Sequence, residues 1–121
     1  MPRIALAATA ILGPYVALPV AANSLDVPFA AADVANKQST PLTGKEIVIA
    51  HNTDVSARTV TFTSVADGRL KRTGDLGPYT MQADEKLAFY FADLEGWRQA
   101  DGSLYFEADN AAVKFAVLRL P

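Results

Sequence analysis

The alternation of apolar and polar positions is sharpest at residues 58–64. Val60 and Phe62 fall on one side of an extended chain there, and Thr59, Thr61 and Thr63 fall on the other. A period of two carried by β-branched and aromatic residues predicts a strand. Residues 46–52 predict a second strand, with Ile47 and Ile49 on one face and Val48 and Ala50 on the other. Apolar residues on both faces suit a strand covered on both sides. The link at residues 53–57 is polar, with Asn52, Asp54 and Ser56 near its bends. It predicts a hairpin with a longer loop. In that arrangement Ile47, Ile49, Val60 and Phe62 hold the central sheet together.

The rest of the chain divides into short segments. Residues 3–10 (RIALAATA) are too short before Gly13-Pro14 for a stable helix and read as a strand or extended arm. Residues 14–23 are an irregular connection. Residues 25–32 alternate weakly, and Pro28 makes them an edge strand. Residues 33–44 are polar and read as a loop. Residues 67–79 are dense in turn signals, Asp-Gly, Thr-Gly-Asp and Gly-Pro, and a short strand is expected at 79–82. Residues 87–91 form an aromatic strand with Leu87, Phe89 and Phe91 on one face. Residues 96–99 and 103–108 flank Ala100-Asp101-Gly102, a short hairpin signal, with Leu104 and Phe106 sharing a face. Residues 113–120 close the chain as a strand that alternates Val113, Phe115 and Val117 with Lys114 and Ala116.

The expected fold is therefore all-β: an antiparallel β-sandwich or small barrel of about seven or eight short strands, with an extended N-terminal segment. Residues 1–24 form an N-terminal arm or first strand with its irregular connection, and residues 25–121 form a single β domain.

Composition narrows the function. A chain of 121 residues with 50% hydrophobic and 20% charged residues carries its own core. A net charge of −2 gives no reason to expect nucleic acid. Arg69, Lys71 and Arg72 form a basic loop partly balanced by Asp67 and Asp75. It reads as a solvated loop or as a contact for an acidic protein neighbour. Cysteine is absent, which removes disulfides and thiolate metal sites. No apolar run approaches the ~18 residues of a membrane helix. Arg3, the run from Ile4 to Leu12, and Val20-Ala21-Ala22 together resemble a signal peptide, although Gly13-Pro14 and Pro19 interrupt it.

Catalytic chemistry is not expected. His51 is the one histidine. Asp54 and Ser56 lie near it in sequence, but there is no Gly-x-Ser-x-Gly elbow. Asp93 with Glu95, or Asp101 with Asp109, could offer oxygens to calcium, but neither pair has calcium-loop spacing. No catalytic, cofactor or metal residue is assigned. Trp97, the one tryptophan, would stack on a sugar as a functional residue or anchor the core or a subunit interface as a structural one, and the second use is favoured.

Several stretches taken in order resemble a family of small tailed-phage and prophage structural proteins. They are the start MPRIAL, the central TVTFTSVAD, the RTGD segment at residues 72–75, GWRQ-x-DG-x-LYFEA and the terminal VKFAVLRLP. The resemblance implies a capsid decoration (cement) protein on the outer capsid surface of the virion. Such a protein would be β-rich, form a homotrimer, and bind the major capsid protein without cofactor, membrane or direct nucleic-acid contact. Arg3, Ile4, Leu6, Arg69, Lys71, Arg72 and Trp97 are its candidate subunit or capsid contacts. The alternatives are a head-completion or tail structural protein, or a secreted β-sandwich carbohydrate-binding module that uses Trp97 with Tyr105 or Tyr90.

Overall fold

The computed structural model describes residues 3–12, 22–23, 25–65 and 74–121. Ten strands run in chain order: β1 (Ile4–Ala5), β2 (Thr9–Ala10), β3 (Ala30–Ala31), β4 (Gln38–Pro41), β5 (Glu46–Asn52), β6 (Arg58–Thr63), β7 (Leu76–Met81), β8 (Lys86–Phe91), β9 (Ser103–Ala108) and β10 (Val113–Arg119). No helix occurs among the described residues. One sheet has the order β1-β4-β9-β6-β7, the other β2-β10-β5-β8, with β3 also on β10. The all-β expectation holds, and the architecture is an open sandwich, not a closed barrel. Both sheets are mixed, because β1 pairs parallel with β4 and β2 parallel with β10.

Period-two alternation builds the core. Val60 and Phe62 from β6 and Leu104 and Phe106 from β9 are buried in one sheet; Phe91, Val113, Phe115 and Val117 are buried in the other. Aromatic rings bridge the layers. Phe62 lies 5.3 Å from Phe91, and Phe106 lies 4.8 Å edge-on from Phe115. Such tilted pairs add to the stabilisation from buried area.

The structure corrects the expected central hairpin. β5 pairs with β10 and β8, whereas β6 pairs with β7 and β9, so the two strands lie in different sheets. Residues 53–57 form an arch across the sandwich. Its centre is Asn52, fully buried. The Asn52 amide nitrogen lies 3.0–3.1 Å from the carbonyls of Ser56, Met81 and Gln82, and its side-chain oxygen accepts the Asp54 N–H at 3.0 Å. Those carbonyls come from different elements, so one side chain ties the arch to the far end of β7. The core face of β5 is also the other one. Val48 and Ala50 are fully buried, while Ile47 and Ile49 are half-buried on the outer face.

Four further segments differ from expectation. Residues 33–44 contain β4, a strand of polar residues whose Thr40 hydroxyl donates to the Leu6 carbonyl at 2.8 Å. Residues 96–99 form no strand; they turn the chain into β9, which pairs with β4 and β6 instead. Residues 25–32 contribute only the two-residue β3. β7 starts three residues earlier than expected, at Leu76 rather than Tyr79, because Gly77-Pro78 forms a bulge between the pairs Val60–Tyr79 and Phe62–Leu76 instead of a turn. Gly77 has φ +119°, and a Cβ there would stand 2.5 Å from the Val60 carbonyl oxygen and 2.8 Å from the Tyr79 nitrogen. Both neighbours are backbone. Gly77→Ala should therefore destabilise the fold by about 1–3 kcal/mol, seen as a lower urea midpoint.

The N-terminal segment is part of both sheets. β1 lies on the edge of one sheet and β2 on the edge of the other, while Leu6 and Ala8 pack against the core between them. This crossing closes one side of the sandwich. The opposite side is bounded by β7 and β8, the other two edges.

Candidate interaction surface

β7 and β8 belong to different sheets and are joined by a tight turn at residues 82–85, where the Glu85 N–H donates to the Gln82 carbonyl at 3.1 Å. Between them lies a groove of about 290 Å³ lined by Phe62, Leu76, Tyr79, Leu87, Ala88 and Phe89. Phe62 is its buried floor; Tyr79 and Phe89 are 49% and 36% exposed. Among the described residues each strand has one sheet neighbour, β6 for β7 and β5 for β8, which leaves its other edge without a strand. Folded proteins usually blunt such edges with charge. β7 carries no charged residue but has Pro78 and a bulge, two other ways to blunt an edge; β8 has neither and carries only Lys86 at its start. An apolar groove between two open edges that carry one charge between them is chemistry for protein association.

Trp97 supports this surface from below. It is half-buried, with its ring 5.3 Å edge-on from Phe91 and 6.4 Å from Phe89. Within the chain Trp97 packs on the core. Phe89 therefore links the buried aromatic cluster to the exposed groove.

The other candidate contacts are dispersed. Arg3 donates to the carbonyls of Gln38 at 3.0 Å and Phe106 at 3.3 Å, and its guanidinium lies 4.2 Å from the Tyr105 ring centre. Leu6 packs on the core. Both residues fasten the N-terminal segment to its own domain. Ile4 is 46% exposed and is the member of that group open to a neighbour. Arg69, Lys71 and Arg72 lie outside the described residues.

The residues weighed for catalysis or metal binding do not converge. His51 Nε2 lies 2.7 Å from Asp84, not beside Ser56 or Asp54. That hydrogen bond, helped by Lys86 and the imidazole charge, holds the Asp84 carboxyl below its ordinary value. Asp54 is engaged by Arg58 at 2.8 Å, and this ion pair with the Val55 N–H lowers its pKa. Asp93, Asp101 and Asp109 each accept a backbone N–H, from Glu95, Ser103 and Thr59 respectively. Asp101 also accepts the Tyr105 hydroxyl at 2.8 Å. Among the described residues no group of three His, Asp or Glu side chains is placed to hold a metal ion, and no helix is long and apolar enough to cross a membrane.

Comparison with known proteins gives no family: no family model, curated protein or solved structure matches the chain. The functional reading rests on the residues and the surface they form.

Proposed function

We propose that the chain is a structural virion protein, a capsid decoration or cement protein that binds the outer surface of a tailed-phage head as a homo-oligomer. The structural observation that supports this reading is the apolar groove between the open edges of β7 and β8. A free chain gains nothing from leaving Tyr79, Phe89 and two sparsely charged edges uncovered, whereas a lattice component covers them on assembly. The choice of a phage head as the assembly comes from the ordered sequence resemblance. The mechanism is binding energy alone. A protein that binds only the assembled lattice stabilises it by mass action, and several contacts per oligomer multiply the effect.

The test uses particles made with the gene deleted. They should assemble but release DNA at a lower temperature than complete particles, and adding the purified protein back should restore the release temperature. Particles whose DNA release is unchanged by deletion and add-back contradict a cement role. The carbohydrate-binding alternative has less support. It needs Trp97 beside Tyr105 or Tyr90 as stacking faces, and the Trp97 ring packs against Phe91 and Phe89 while Arg3 covers the Tyr105 ring.

A further inference from the structure

The groove between β7 and β8 has a complement on the same chain. Residues 25–29, Leu-Asp-Val-Pro-Phe, run into β3 at the opposite edge of the β2-β10-β5-β8 sheet. All five are exposed, with Leu25 at 68%, Val27 at 40% and Phe29 at 41%. Leu25, Val27 and Phe29 alternate with Asp26 and Pro28, as in a strand with one apolar side. None of the three has a backbone hydrogen bond to another described residue. Among the described residues the segment is thus an exposed apolar strip on which Leu25, Val27 and Phe29 have no backbone partner, and its first three residues also line a shallow pocket against residues 9–12 and Leu118 of their own chain. β10 and β5 separate it from β8, so it cannot reach its own groove.

We propose that residues 25–29 of one copy add as a strand along β8 of a second copy and roof its groove. A parallel register brings the features together. It sets Asp26 beside Lys86, Val27 beside Leu87, Pro28 beside Ala88 and Phe29 beside Phe89. Val27 and Phe29 then fall on the groove side with Leu87 and Phe89, while Asp26 and Lys86 meet on the outer side. Each is the only charge of its segment, and they have opposite signs. Pro28 lies out of phase with Leu25, Val27 and Phe29, so its missing N–H faces away from the strand being joined. The contact is heterologous: each copy offers the strip at one edge and the groove at the other. Such contacts close into a ring or extend as a filament. The inference rests on the groove and the strip, and it stands whether or not the assembly is a phage head.

The test is the mass of the purified chain in solution, by sedimentation equilibrium, for the wild type and four variants. The wild type should be an oligomer at micromolar concentration. Val27→Asp, at an exposed site outside the core, should weaken association roughly tenfold or more while leaving the thermal melt of the monomer unchanged. Asp26→Lys and Lys86→Asp should each weaken association, and the double swap should restore it, because opposite charges again meet. A monomeric wild type overturns the proposal. So does an oligomer whose mass survives Val27→Asp, since another face then holds it. Failure of the double swap to restore association overturns the register.

Discussion

Replacing Phe62 by alanine should lower the free energy of unfolding by about 3–5 kcal/mol, the range for a large aromatic removed from a packed core. Phe62 is 1% exposed and touches three other rings: Phe91 at 5.3 Å, Phe106 at 6.0 Å and Phe89 at 6.3 Å. Phe106 is its neighbour across the strands of one sheet, and Phe89 and Phe91 belong to the other. The ring therefore joins both layers, and its loss leaves a void that neither sheet can fill alone. It is also the floor of the groove, so the same substitution should loosen the β7–β8 edge. Guanidinium unfolding measures the effect as a lower midpoint with an unchanged slope. A change below about 1 kcal/mol would contradict the packing described for Phe62.

The second large effect is expected at Glu46. Its carboxylate is fully buried at the start of β5. It accepts the N–H groups of Thr43 at 2.7 Å, Gly44 at 3.2 Å and Lys45 at 3.2 Å, the Thr43 hydroxyl at 2.8 Å, and Arg119 Nε at 2.7 Å. One side chain thus organises the turn into β5 and fastens the end of β10. Glu46→Ala leaves those backbone donors unpaired, while the Arg119 guanidinium, 39% exposed, regains water. The expected cost is about 2–4 kcal/mol, mainly from the orphaned amides. Burial alone would raise the Glu46 pKa; the bonds from Thr43, Arg119 and Lys45 outweigh it and hold the pKa below the ordinary value of 4.5. A depressed folded-state pKa contributes stability that is complete above the unfolded value and is lost as pH falls through the folded one. The advantage of the wild type over Glu46→Ala should be constant near neutral pH and narrow on acidification below the carboxylate range. Melting curves of both chains from pH 7 downward measure it; a gap that does not narrow contradicts the charged role.

Glu46 also shows why part of the fold was hidden in the sequence. In β5 it shares a face with Val48, Ala50 and Asn52, and that face is the buried one. Polar residues at both ends make the face look solvent-directed, and the larger Ile47 and Ile49 look like the core. The polar ends are buried because each satisfies a cluster of backbone groups, which a hydropathy pattern does not record. Asn52 hides the topology in the same way. A polar five-residue link suits a hairpin or an arch, and the buried amide that selects the arch looks like an ordinary turn residue. β4 was missed because its residues are polar and its partners, β1 and β9, are distant in sequence. The strands with plain alternation were legible with their faces: Val60 and Phe62, Leu104 and Phe106, Val113, Phe115 and Val117, and the set Leu87, Phe89 and Phe91.

The candidate surface was only half legible. The alternation puts Phe89 on one face with Leu87 and Phe91, and that face does turn inward, but β8 is an edge strand, so the ring is also the wall of a groove. Edge position depends on sheet order, which local alternation does not give. The signal that could have found the surface is the lack of charge in residues 76–81 and 87–91, because strands destined to stay exposed at an edge usually carry it. The contacts that Arg3 and Leu6 make with their own domain were not legible for a related reason. A short N-terminal segment looks free in sequence, and here it pairs into both sheets.

The central proposal is a protein that acts by occupying many equivalent places on a capsid. Quantitative mass spectrometry of purified particles tests it most directly. Hundreds of copies per particle are expected, in fixed proportion to the major capsid protein; six or twelve copies would make the chain a connector or tail component, and its absence from the particles would contradict the proposal outright.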